Sequence, residues 1–217
     1  AAAAADVGGP RVVGRGRVDG ALYGAWCRIS VKSLVWYSPR EFAARGLTVP
    51  ATYDELLRLG EGAAAEGVTP WCLGIRDGGA TGWVATDWVE DLVLRFGGAD
   101  TYDRWVRHEI PFTDPAISDA VSRLGAIALA GGQVHGGTGA VVETAIQESA
   151  EPLLTDPAGC LLHRQASFLP DLLPGGVEIG PSGALWMFPL PGPVAAEPGT
   201  SPPLVVAARR WVEPGRN

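Results

Sequence analysis

Residues 69–88 read TPWCLGIRDGGATGWVATDW, and they place a strand, a loop and a helix start in direct succession. The apolar run 71–75 predicts a short buried strand, and the glycines after it predict a loop. A helix then begins at Thr81 or Gly82. Aromatic rings beside a loop are typical of ligand contacts, so the same stretch is the first functional candidate.

The remaining sequence continues this alternation of extended and helical segments. Apolar runs predict strands over 21–26, 29–37, 160–163 and 184–190. Capping residues and glycine stops predict helices over about 38–45, 52–67, 81–97, 113–131 and, more weakly, 140–154. Short strands separated by helices favour an α/β layer with crossover connections.

The composition narrows the function classes. The chain has 217 residues, is 47% apolar and carries a formal charge of −7, which suits a packed core. Its basic residues form no cluster that could neutralise phosphates, which argues against nucleic acid and anionic membranes as partners. The beginning, AAAAADVGGPRVVGRGR, lacks the order of a signal peptide. Glycine and proline concentrate in 1–20 and 191–217, where we expect irregular structure.

Motifs for metal and cofactor chemistry are incomplete. Cys160 and His163 have no further ligands at zinc spacing, and no Gly-x-Ser-x-Gly elbow is present. The glycine-rich run 131–139 lacks the Lys-Ser/Thr of a phosphate-binding loop. We therefore expect no metal, no cofactor and no catalytic residues.

Several blocks, in order along the chain, resemble the extracellular solute-binding proteins of carbohydrate ABC transporters, in particular the α-glucoside type. The blocks are VDGALYG (18–24), SVKSLVWYSPREF (30–42), VPATYDELL (49–57), TPWCLGI (69–75), TGWVATDWVEDL (81–92), HEIPFTDPA (108–116) and TDPAGCLLHRQASF (155–168). The specificity of the resemblance comes from seven blocks in the family's order, because no single block is diagnostic.

The resemblance implies a periplasmic-binding-protein-like (type II) α/β fold, a sugar ligand, ABC permease subunits as partners and an extracytoplasmic location. Family members have two lobes joined by crossing strands that act as a hinge, and they are longer than this chain. The match implies mostly one lobe, the second or C-terminal one, with the first hinge-crossing strands over 18–190, after an irregular segment 1–17 and before an irregular tail 191–217. In place of the family's return crossing, the tail reads PGTSPPLVVAARRWVEPGRN, so we interpret the chain as a fragment.

A sugar presents an apolar face and a ring of hydroxyls, so its site needs a flat aromatic ring with polar groups at the edge. Trp83, Asp87 and Trp88 supply both at one helix start. Trp83 and Asp87 share a face at i and i+4, which favours Trp83 as the platform and Asp87 as the hydroxyl acceptor. The alternative is that Trp83 and Trp88 belong to the core.

Further ligand-binding candidates are His163 and Arg164, which follow an apolar run where a strand end would face the crevice. The alternative is a helix start whose polar groups face water. Lys32, in the crossing segment, is a weaker candidate, with a solvated lysine as the alternative.

Cys72 and Cys160 fall in two predicted strands, and they form a disulfide candidate if those strands are neighbours. The resemblance supports an oxidising location. The alternative is a pair of small buried apolar residues, and Cys27 is left over in either case.

Two other functions compete with sugar binding. A carbohydrate-active enzyme such as a glycosidase would use carboxylates, for which Glu90, Asp91 and Glu109 are the candidates. Glu90 and Asp91 are adjacent on a predicted helix that we expect to face water, which favours a binding protein over an enzyme. The third possibility is a non-functional remnant of a binding protein.

Overall fold

The structure is a computed structural model that describes residues 17–18, 21–22, 24–197 and 202–212. The chain divides into two compact units, one of which is Lys32–Val205 and the other of which contains the residues before and after it. Apart from Arg17, the predicted irregular segment 1–17 lies outside the described residues.

The helices and strands follow one another along the chain in a mixed order. The strands are β1 (Arg17–Val18), β2 (Ala21–Leu22), β3 (Gly24–Val31), β4 (Leu34–Tyr37), β5 (Trp71–Cys72), β6 (Leu162–Arg164), β7 (Trp186–Pro189) and β8 (Val206–Val212). The α-helices are α1 (Pro39–Ala44), α2 (Tyr53–Ala65), α3 (Trp83–Leu92), α4 (Gly98–Val106), α5 (Pro115–Ala128) and α6 (Ala140–Glu143).

The smaller unit consists of antiparallel strand pairs. β1 pairs with β2, and β3 pairs with β8, with a bulge between Trp26 and Arg28. The prediction of a wholly irregular tail over 191–217 is therefore wrong for Val206–Val212. This segment contains neither proline nor glycine, and its valines and tryptophan suit a strand once β3 is available as a partner.

The larger unit is built on a four-stranded sheet in the order β5-β6-β4-β7. β5 and β6 run parallel, so the chain between them makes a crossover, while β4 runs antiparallel to both of its neighbours. β6 is buried along its whole length and β4 along most of it. The predicted alternation of strands and helices is confirmed for the β5–β6 crossover. The strands predicted over 29–37 and 184–190 contain β4 and β7, but their antiparallel pairing was not predicted.

Capping residues determine where most helices begin. The side chain of Thr52 accepts a hydrogen bond from the Glu55 N–H, and the Glu55 carboxylate accepts one from the Thr52 N–H. The two bonds form a capping box at the predicted start of α2. Ser38 caps α1, but Glu41 pairs with Arg45 instead of closing a second box.

Two helix predictions differ from the structure. The residues Gly97-Gly98 do not end the helical region, because a π-helical turn, Val93–Gly97, leads directly into α4. The predicted helix over 140–154 shortens to α6, since Thr144 adopts an extended backbone and Glu151–Leu154 forms a separate 3₁₀ turn.

Apolar side chains cover both faces of the sheet. The larger cluster includes Trp71, Trp88 and Leu162, and the smaller one includes Trp36 and Cys72. Trp71 and Cys72 belong to different clusters because successive side chains of a strand point to opposite faces. In the smaller cluster, Cys72 and Cys160 form a disulfide with their Cα atoms 5.6 Å apart.

Candidate functional site

The structure brings three of the candidate residues together at the start of α3. Gly82 precedes the helix with a positive φ of 104°, a conformation that glycine adopts without strain. Trp83 and Asp87 then lie one turn apart, as the spacing predicts. Lys32, just before β4, places its Nζ 2.7 Å from Asp87 Oδ2 and 4.4 Å from the centre of the Trp83 ring.

Two residues that sequence reasoning missed complete this group. Trp83 donates a hydrogen bond from Nε1 to Asp77 Oδ2 at 2.8 Å, which fixes the plane of the half-buried indole. The Phe168 ring lies 5.9 Å from the Trp83 ring at 50°. We call Lys32, Asp77, Trp83, Asp87 and Phe168 the Trp83 cluster. The sequence does contain a signal for Asp77 and Phe168. Asp77 lies in the glycine loop before the helix, and Phe168 ends the last family-like block.

The alternative of a solvated Lys32 is wrong. The side chains of Lys32 and Asp87 expose only 11% and 15% of their surface. Their ion pair lies against the aromatic ring, where a cation is attracted to the π-face. The pair therefore presents a fixed donor and a fixed acceptor beside an aromatic surface, the combination that hydroxyl groups and an apolar ring face require.

Trp88 does not belong to the Trp83 cluster, and the prediction that it contacts a ligand is wrong. It is fully buried, and its ring packs edge-to-face on Trp71 at 5.4 Å. It follows Asp87 directly, and neighbouring helix positions diverge by about 100°. The alternative of a core tryptophan is the correct one for Trp88, whereas Trp83 is half-buried and also packs against the larger apolar cluster.

His163 and Arg164 are likewise buried, so the structure removes both from the ligand-contacting set. Both residues lie in β6 and point into the interior. The prediction of a strand end that faces the crevice and the alternative of a helix start that faces water are therefore both wrong. His163 shares a hydrogen bond between Nδ1 and the Cys72 carbonyl oxygen at 2.9 Å. Arg164 donates from Nη2 to the main-chain oxygen of Asp87 at 2.8 Å, so it positions α3 beneath the Trp83 cluster.

Asp91, which we expected on a water-facing helix surface, is fully buried. Its Oδ1 accepts a hydrogen bond from Ser33 Oγ at 2.9 Å and lies 3.0 Å from Arg95 Nε. Its Oδ2 accepts from Arg164 Nη2 at 3.0 Å. One carboxylate thus pairs with two buried guanidinium groups, an arrangement that hydropathy alone does not reveal.

Glu90 lies beside this group, and Tyr102 donates to its Oε2 at 3.2 Å. Burial raises the pKa of Glu90, while the hydrogen bond from Tyr102 and the charge of Lys32 oppose that rise. Within the described part of the chain, no group of three or more His, Cys, Asp or Glu side chains could hold a metal ion. No helix among those residues is long and apolar enough to cross a membrane.

His163 predicts a pH dependence of stability. Burial lowers its pKa to about 4, against a usual value of 6.5. Because the unfolded chain takes up the proton first, stability is complete above pH 6.5 and is lost as the pH falls from 6.5 towards 4, by up to about 3 kcal/mol. Urea unfolding at several pH values measures this loss. A His163→Gln variant should lack this part of the pH dependence, and an unchanged slope between pH 6.5 and 4 in the variant would contradict the assignment.

Comparison with known proteins gives consistent matches. The model of the bacterial extracellular solute-binding protein family matches residues 2–157. The chain is 46% identical over 190 residues to the osmoprotective compounds-binding protein GgtB of Synechocystis sp., which covers 88% of this chain and 44% of that protein. It is 47% identical over 169 residues to the alpha-glucosides-binding periplasmic protein AglE of Rhizobium meliloti, which covers 78% and 37%.

The fold is similar to that of a chitin oligosaccharide binding protein, with a TM-score of 0.68 at 22% identity over 83% of this chain and 42% of that one. This similarity confirms the predicted type II periplasmic-binding-protein-like α/β fold. The chain spans less than half the length of the two curated relatives described above.

Proposed function

Because the chain belongs to the bacterial extracellular solute-binding protein family, we propose that it binds a carbohydrate at the Trp83 cluster. The ligand class is an oligosaccharide, with α-glucosides as the first choice. The protein would serve as the substrate-binding component of an ABC import system.

The observation that carries this proposal is the half-buried indole of Trp83, which Asp77 holds in place and beside which the Lys32–Asp87 ion pair lies. An indole fixed by its own Nε1 hydrogen bond loses little conformational freedom when a sugar packs on it. Lys32 offers donors to sugar hydroxyls and Asp87 offers acceptors, and both are partly shielded from competing water.

The relatives support the ligand class. AglE is an alpha-glucosides-binding periplasmic protein, and it is 47% identical to this chain over 169 residues. GgtB, at 46% identity, is described as binding osmoprotective compounds. The protein would act outside the cytoplasmic membrane and deliver its ligand to permease subunits. In a two-lobed receptor, a ligand that contacts both lobes selects the closed form.

A glycosidase is the competing function, and the carboxylates argue against it. Asp91 is locked between two arginines in the interior and cannot reach a substrate. Glu109 is exposed and pairs with Arg107 Nε at 2.7 Å. A glycosidase needs two carboxylates that flank one glycosidic bond. Neither Asp91 nor Glu109 can serve as the acid/base partner of Glu90.

Replacing Trp83 by alanine should weaken sugar binding about tenfold or more, because the ligand loses an aromatic surface worth at least about 1.4 kcal/mol. Isothermal titration calorimetry with maltose and trehalose measures the change. Trp105→Ala is the matched control, since Trp105 is also half-buried but lies in α4. An equal loss in both variants would rule out Trp83 as the platform.

The same titrations separate the competing functions. Wild-type protein that binds none of a panel of mono- and disaccharides would support the remnant interpretation. Release of reducing sugar from maltose would instead support the glycosidase.

A further inference from the structure

Glu90 is a half-buried carboxylate that lies next to the Trp83 cluster on the same helix. It is in α3, three positions after Asp87 and seven after Trp83. Helix positions i, i+4 and i+7 share one face, so these three side chains form a stripe along α3. All three are partly exposed, whereas Trp88 and Leu92, on the other side of the helix, are fully buried.

The carboxylate of Glu90 is held in place and lies close to the ion pair of the Trp83 cluster. Tyr102, in α4, donates a hydrogen bond to Glu90 Oε2 at 3.2 Å. Burial raises the pKa of Glu90, the charge of Asp87 adds to the rise, and the charge of Lys32 opposes it. A carboxylate has about four acceptor positions on its two oxygens, so one bond from Tyr102 leaves room for ligand hydroxyls.

The stripe is long enough for more than one sugar ring. An α-helix rises about 1.5 Å per residue, so Trp83 and Glu90 lie about 10 Å apart along its axis. A single pyranose ring packed on Trp83 would meet the Lys32–Asp87 pair at its edge. A second ring linked to the first would extend along the stripe to Glu90.

We propose that Glu90 is a specificity-determining residue of the sugar site and that its carboxylate accepts hydrogen bonds from the hydroxyls of a second sugar ring. The site then selects a disaccharide unit over a monosaccharide, and Tyr102 is the residue that positions Glu90. The proposal rests on the proposed function, because the first ring packs on Trp83. Hydrogen bonds to an ionised acceptor that is already oriented are stronger than those between neutral groups, and a ligand without the matching hydroxyls forgoes them.

Maltose and methyl α-D-glucoside form the matched pair of probes, because both contain an α-glucosidic ring and only maltose has a second ring. In calorimetric titrations of the whole chain, maltose should bind at least about tenfold more tightly than methyl α-D-glucoside. Glu90→Gln should reduce maltose binding to the level of methyl α-D-glucoside and leave the binding of methyl α-D-glucoside unchanged. A purely structural role of Glu90 would instead weaken the binding of both sugars.

Two further variants complete the experiment. Glu41→Gln is the matched control, since Glu41 is also a partly buried glutamate paired with one neighbour, Arg45, but it lies in α1. It should leave the binding of both sugars unchanged. Tyr102→Phe keeps the aromatic ring and removes the hydroxyl that holds Glu90, so it should weaken maltose binding by a smaller factor than Glu90→Gln and spare methyl α-D-glucoside.

Three outcomes would each overturn the role of Glu90: equal binding of the two sugars by the wild type, equal weakening of both by Glu90→Gln, or equal effects of Glu90→Gln and Glu41→Gln. If Trp83→Ala still weakened the binding of both sugars, the proposed function would stand despite such a result. A wild-type chain that bound neither sugar would contradict the proposed function together with the role of Glu90.

Discussion

Asp91→Asn should lower the free energy of unfolding by about 3–5 kcal/mol, because it removes the one carboxylate that pairs with two buried guanidinium groups. The asparagine side chain keeps the shape but carries no charge, so Arg95 and Arg164 would face each other uncompensated. Urea unfolding monitored by tryptophan fluorescence measures the loss.

Asp119→Asn is the matched control for this experiment. Asp119 also pairs with an arginine four residues later, with Arg123 Nε 2.8 Å from its Oδ2, but its side chain is half-exposed. An exposed pair of this kind contributes under about 1 kcal/mol. If the two variants lost equal stability, burial would not explain the strength of the Asp91 network.

The double variant Cys72→Ala/Cys160→Ala should lose about 2–5 kcal/mol of stability. The disulfide joins positions 88 residues apart, and opening a loop of that length restores much conformational freedom to the unfolded chain. Urea unfolding of the double variant and of the oxidised wild type gives the difference.

Cys27→Ala is the suitable background for this measurement, since it leaves no third thiol for exchange. A reducing agent should then destabilise the Cys27→Ala protein by a similar amount and leave the triple alanine variant unaffected. A reducing agent without effect on the Cys27→Ala protein would show that the bond does not form in solution.

The elements that the sequence predicted best are those governed by local signals. The capping box at Thr52 and the start of α5 after Asp114 depend on neighbours three residues away or fewer, so the letters alone specify them. The segment Val206–Val212 was missed because its strand depends on β3, which is far away in sequence. Prolines and glycines on either side of it dominated the local pattern.

The Trp83 cluster shows the same difference between features set by local sequence and features set by contacts distant in the chain. The spacing of Trp83 and Asp87 placed both on one face of α3, and the structure retains that pair. Lys32 lies 55 positions before Asp87 in the chain, and the sequence alone does not show that the two side chains are in contact. The buried positions of His163 and Arg164 follow from β6 lying between β4 and β5, which is a property of strand order rather than of composition.

The hydrogen bond from Arg164 to the main-chain oxygen of Asp87 has an evolutionary consequence. Every amino acid carries this oxygen, so the anchor of α3 does not depend on which side chain occupies position 87. Substitutions there would alter the polar groups offered to a ligand while the helix keeps its place. At the proposed sugar site, ligand preference could therefore diversify among descendants without requiring compensating changes in the sheet.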